Sequence, residues 1–118
     1  MPRPRIAVVG SINVDIVVRA QRFVQPGETM HGDSFALALG GMGANQADAA
    51  RRLGGDVGFI ARTGSDAFGQ MARERLAAFE LSLDHVAEST TCGTGIATIA
   101  IDASVENSIT IVSGANGE

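Results

Sequence analysis

Residues Gly40 to Gly55, GGMGANQADAARRLGG, constrain the fold of this chain more than any other stretch. Three glycines open it, a helical run follows from about Gly43 to Leu53, and two glycines close it. Ala44, Ala47 and Ala50 recur at i, i+3 and i+6, a stripe of small side chains that lets a helix lie close against a sheet. Gly54 and Gly55 end it, as glycines commonly do at helix C-termini. On one side stands RIAVVGS and on the other DVGFIA, both continuous apolar runs of the kind found in buried parallel strands. A strand–glycine–helix–strand unit of this sort argues for a parallel α/β sheet.

The remaining segments extend that reading. SINVDIVVRA alternates, with Ile12, Val14, Ile16 and Val18 on one side and Asn13, Asp15, Val17 and Arg19 on the other. Pro26-Gly27 centres a turn, and the mixed strand TMHGDSFALAL that follows carries a potential break at Gly32-Asp33. SDAFGQMARERLAAFE reads as an amphipathic helix capped by Ser65 or Asp66, with Phe68, Met71, Ala72, Arg75, Leu76 and Phe79 on its inner stripe. HVAES, GIATIAID and SITIVSG then read as strands, the last two joined by a turn. The predicted order is β, β, (β), α, β, α, β, β, β, with the alternating strands suited to a second, smaller sheet that has one wet face. The end at GANGE leaves the sheet looking interrupted.

Composition excludes several functions. The chain has 118 residues, room for one small domain, and no Trp or Tyr, so its core rests on Ala, Val, Ile and Leu. All nine basic residues are Arg and the net charge is −4, which offers no nucleic-acid surface and no lysine for a P-loop or a Schiff base. Cys92 is the single cysteine, with no partner for an internal disulfide, in keeping with a reducing cytoplasm. No apolar run reaches the ~20 residues of a membrane span, and the start MPRPRIAVVGS lacks the apolar length of a signal peptide.

The glycine loop fails both common phosphate patterns. A Walker A loop requires a lysine, and in the dinucleotide fingerprint Gln46 stands where the third glycine belongs. A ligand with hydroxyl groups fits better: glycine at 40 and 41 opens the backbone to close approach, Asn45 falls in the first helical turn, and Asn13 and Asp15 project together from one strand. A carboxylate and two carboxamides suit a diol. Asn and Asp near a turn also serve as backbone caps, and a Gly-Gly pair before a helix also serves tight packing, so both roles stay open at this level. His31 and His85 are isolated, Cys92 has no neighbouring metal ligand, and Asp66 and Glu28 read as a helix cap and a turn residue.

These residues also carry a family pattern. Gly40-Gly41, one residue, Gly43, one residue, Asn45, one residue, Ala47, then Gly54 after six and Gly64 after nine more, resembles the first signature of the PfkB carbohydrate kinases. VVGSINVD, QPGET, TGSDAFG and SGAN resemble landmarks of the ribokinase branch in the same order. The resemblance covers residues 1–118 and implies the N-terminal part of a Rossmann-like α/β ribokinase fold, incomplete, with a small β-sheet lid. The lid strands would lie near 12–20, 29–39, 95–101 and 108–112. Sugar-binding positions would be Asn13, Asp15, Gly41, Met42 and Asn45, with Asp15 on ring hydroxyls. The implied reaction is ATP-dependent phosphorylation of a primary alcohol on a ribose-like sugar, with Mg²⁺ and a monovalent cation such as K⁺, and with a dimer contact through the lid.

Two departures qualify that expectation. Met42 stands where ribokinases usually have Lys, which weighs against ribose more than against the family. The family's Gly-Ala-Gly-Asp loop, with its catalytic base, is absent; SGANGE echoes it but corresponds to the end of a lid strand. No catalytic, nucleotide-binding or metal-binding residue can be named, and the chain alone is expected to show no turnover. Two further readings stand beside the sugar-binding portion of a kinase: a non-catalytic sugar-binding or lid-mediated interaction module, and a truncated remnant that folds poorly.

Overall fold

The computed structural model describes residues 3–118; Met1 and Pro2, the start of the stretch weighed as a leader, lie outside the described residues. The elements are β1 (Arg5–Val9), β2 (Asn13–Arg19), β3 (Ser34–Gly40), α1 (Met42–Arg52), β4 (Asp56–Gly64), α2 (Ala67–Ala78), β5 (Val86–Ser89), β6 (Gly95–Ile101) and β7 (Asn107–Val112), followed by a 3₁₀ turn at Gly114–Gly117. They form two sheets. One is parallel, in the order β1-β4-β5; the other is mixed, in the order β3-β2-β6-β7, with antiparallel outer pairs around a parallel β2–β6 centre.

The crossover from β1 to β4, which contains α1, and the one from β4 through α2 to β5 place both helices on one face of the parallel sheet. There Ala44 and Ala47 of α1, and Ala72 and Leu76 of α2, pack with Val8, Val57, Phe59 and Val86. Small residues on the helices bring them close to the bulky strand residues, as the alanine stripe predicts. On the opposite face Val9 is 72% and Ile60 46% exposed. Ile12 and Val14 are fully buried and carry the core from the parallel sheet into the near end of the mixed one.

The mixed sheet extends away from this core as an arm. The radius of gyration is 16.2 Å, against about 13.5 Å for a compact domain of this length. The arm joins the body at a waist where backbone meets backbone: a Cβ on Gly43 would come within 2.6 Å of Gly10 Cα. Ala44 N–H donates to Ser11 O at 3.0 Å, so α1 starts directly against the β1–β2 connection.

Three expectations need correction. The strand expected over 29–39 begins only at Ser34; Asp33 N–H turns back to Arg19 O at 2.7 Å, and the chain before it is occupied by a loop clasped by Arg22 and Glu28. Arg75 does not join the inner stripe of α2 but is exposed; Gly69, which packs against Gly64, is buried instead. SGANG is not the end of a strand: β7 stops at Val112, and Gly114, at φ +53, starts a turn that brings Ala115 N–H onto Gly93 O.

Candidate functional site

Asn13 and Asp15 lie on one face of β2, opposite the buried Val14. Asp15 is flanked in register by Ala38 on β3 and Ala97 on β6, with Ile111 one strand further on. Small neighbours leave the space above the carboxylate open. Gly40 makes room beside it, since a Cβ there would collide with both carboxylate oxygens. Among the described residues no hydrogen bond or ion pair reaches this carboxylate, and burial alone pushes its pKa above the ordinary value. A half-buried carboxylate with no partner is costly to the fold and ready for a ligand that donates hydrogen bonds.

Asn13 is held differently. Its Oδ1 accepts from Asn116 Nδ2 at 2.9 Å, and the same Asn116 carboxamide bonds the backbone of Ile12 in both directions, each at 2.9 Å. The pair lies over Gly95, where a Cβ would displace both side chains. Nothing local in SGAN marks Asn116 for this role, since its partners lie 103 and 104 positions away.

Gly41, at φ +95, abuts the same corner. A Cβ there would stand 3.0 Å from Asn13 N and closer to Ser11 O. Glycine at 41 is thus required by the chain's own backbone, whatever ligand approaches, while glycine at 40 leaves the Asp15 side chain its place. Met42 and Asn45 follow on the first turn of α1 with exposed side chains; Met42 is 74% exposed and makes no part of the core. Asn45 N–H returns to Gly41 O at 3.1 Å, and its side chain makes no hydrogen bond among the described residues. The fold therefore brings Asn13, Asp15 and Gly41 together and sets Met42 and Asn45 on the adjoining helix start.

Other candidates fall elsewhere. Asp66 caps α2 through Gly69 N–H at 2.8 Å, and Ser65 does not. His31 and His85 are exposed, and Cys92 is a half-buried free thiol. Among the described residues no three His, Cys, Asp or Glu side chains converge as a metal cage. No described helix is long and apolar enough to cross a membrane.

A parallel α/β body carrying a β-sheet arm, with a carboxylate and a carboxamide at their junction, defines a Rossmann-like class with a second, mixed sheet. The pfkB family carbohydrate kinase model matches residues 3–118, and the chain belongs to that family. It is 43% identical over 114 residues to a ribokinase of Haemophilus influenzae, covering 97% of this chain and 37% of that protein. It is 37% identical to a ribokinase of Mus musculus, covering 94% and 34% respectively. An Arabidopsis thaliana ribokinase solved with ribose and ATP superposes with a TM-score of 0.90 at 37% identity, over 98% of this chain and 38% of that one. The Thermotoga maritima ribokinase gives 0.85 at 32% identity, over 95% and 37%. The chain thus spans a little over a third of the length of these relatives, and its fold is an incomplete ribokinase fold.

Proposed function

We propose that this chain is the sugar-binding N-terminal portion of an ATP-dependent carbohydrate kinase that phosphorylates a primary hydroxyl of a ribose-like pentose. The unpartnered carboxylate of Asp15, beside Asn13 at the root of the arm, carries this reading. Asp15 accepts from the sugar's hydroxyls, Asn13 and Asn45 supply carboxamides, and Gly41 and Met42 form the adjoining loop. The mixed sheet serves as the lid over the sugar.

Phosphoryl transfer draws on ATP, Mg²⁺ and a monovalent cation, and the residues of this chain do not fit those groups. No carboxylate cluster is available for a metal among the described residues, there is no lysine, and the Ala44 N–H at the start of α1 is committed to Ser11. The chain alone therefore binds sugar without turning it over, and no catalytic base is assigned. The face of the arm opposite Asp15 exposes Phe35 at 75% and Val18 at 40%, with Val112 at 54%; a second copy of the chain covers it in a lid-to-lid dimer.

Titration of D-ribose into the 118-residue chain, followed by calorimetry, tests the reading. Loss of one charged hydrogen-bond acceptor in Asp15→Asn weakens binding at least about tenfold, while Gly58→Ala, on the bare face of the parallel sheet, leaves it unchanged. No binding of any pentose by the unmodified, folded chain overturns the proposal, and ordinary turnover with ATP by the pure chain overturns the predicted inactivity.

A further inference from the structure

We infer that Asn116 is a positioning residue: it fixes the Asn13 carboxamide with its N–H₂ turned out on the face shared with Asp15, so that the site offers a donor at Asn13 beside an acceptor at Asp15. The class of ligand rests on the sugar reading above; the orientation does not. It follows from backbone atoms, whose hydrogen-bonding sense is fixed. Ile12 N–H can only donate, and it donates to Asn116 Oδ1. Ile12 C=O can only accept, and it accepts from Asn116 Nδ2. The second proton on Asn116 Nδ2 then points at Asn13, so the atom facing it has to be the acceptor, Oδ1. The opposite flip would set two N–H₂ groups against each other.

Asn116 is thereby fully used, with one bond accepted and two donated. Asn13 Nδ2 is left over: no acceptor reaches it among the described residues, and it is not among the buried polar atoms that lack a partner. Gly95 is what permits the arrangement, since a Cβ at that position would occupy the place of the Asn13–Asn116 bond. A hydroxyl both gives and takes a hydrogen bond, so adjacent hydroxyls of a polyol satisfy both groups at once. A ligand that only accepts would satisfy Asn13 and leave Asp15 unpaired. A deoxy analogue lacking the matched hydroxyl would leave Asn13 or Asp15 without its partner in the complex.

Side-chain amide NMR on the 118-residue chain tests this, first without sugar. The Asn116 N–H₂ protons should exchange with solvent more slowly than those of exposed Gln46. Asn116→Asp keeps the acceptor for Ile12 N–H and removes both donors, so the Asn13 N–H₂ should turn toward the new carboxylate and its resonances should shift. Equal exchange rates for Asn116 and Gln46 overturn the inference in the unmodified chain, whether or not the variant folds. Unshifted Asn13 resonances in a folded Asn116→Asp variant overturn it as well. D-ribose is then titrated. The Asn13 N–H₂ resonance should move in the unmodified chain, and Asn116→Asp should weaken ribose binding at least about tenfold. If the unmodified chain shows the slow exchange but no ribose response, the orientation is supported and the sugar reading fails. If ribose binds equally to both chains, the positioning role fails and the sugar reading stands.

Discussion

Thr94 donates both its backbone N–H and its hydroxyl to the carboxylate of Asp66, at 3.0 and 2.5 Å, while Asp66 caps α2 through Gly69 N–H. The Thr94 hydroxyl also accepts from Gly64 N–H at 2.9 Å. One carboxylate thus joins the start of a helix in the body to the entry of β6 in the arm. Burial pushes Asp66 up, but the bonds from Thr94 and Gly69 together outweigh it and hold its carboxyl below the ordinary 3.8.

Asp66→Asn keeps an oxygen for the Gly69 N–H but turns an N–H₂ toward the Thr94 N–H, so it should lower stability by about 1–2 kcal/mol at neutral pH. Thr94→Val should cost more, because it also strands the Gly64 N–H in a buried position. The folded pKa of Asp66 is depressed, so its contribution is fully present above about pH 4 and fades as pH falls through the folded value. Urea midpoints of the unmodified chain and of Asp66→Asn, compared at pH 7 and pH 3, check the sign: their difference should shrink at the lower pH.

Asp15 behaves in the opposite sense. Its folded pKa is raised by burial, so stability is lost as pH rises through that value. Asp15→Asn should raise the melting temperature at pH 7 slightly and weaken the sugar response at least about tenfold. Paired thermal melts and ribose titrations at that pH read both effects; a lower melting temperature in the variant contradicts the unpaired-carboxylate picture.

The glycines should separate into two groups under alanine substitution. Gly43→Ala drives a methyl into the backbone of Gly10 and Ser11 and should cost about 1–3 kcal/mol or more. Gly58→Ala meets nothing within 4 Å in mid-strand and should be neutral to stabilising, by up to about 1 kcal/mol. Gly40→Ala collides with a side chain that can swing aside, so it should displace Asp15 at little cost in stability. Denaturation midpoints together with ribose titrations rank the three.

Met42 is exposed at the start of α1, so Met42→Lys should leave stability within about 0.5 kcal/mol. If the ligand is ribose, the added cation should tighten binding about tenfold or more, the worth of one charged hydrogen bond. Calorimetry of the two chains against ribose reads the difference, and an unchanged affinity removes Met42 from the sugar site.

The order of strands and helices was legible because each element carries its own period. The alanine stripe of α1, the continuous runs of β1 and β4, and the alternation in β2, β6 and β7 are all local patterns. The pairing of Asn13 with Asp15 on one face follows from the same alternation. What was not legible is long-range. Asn116 reaches Ile12 across 104 positions, and no spacing rule connects them. The strand before Ser34 was lost to a loop whose clasp, Arg22 with Glu28, is made of residues that read as ordinary turn polarity. The glycines at 40 and 41 were visible, but the atoms they lie against, in Asp15 and Ser11, became visible only once the two sheets met.

The waist where Gly10 meets Gly43 has a mechanical consequence. At that point backbone lies directly on backbone, so the contact itself has no side chain that could change rotamer to absorb strain. The arm beyond it is a lever about seven residues long, roughly 23 Å at ordinary strand rise. A tilt of about 10° at the fulcrum carries its tip through roughly 4 Å. One methyl group added at the fulcrum should therefore be felt most at the far end of β2, where Arg19 and Ile101 lie side by side.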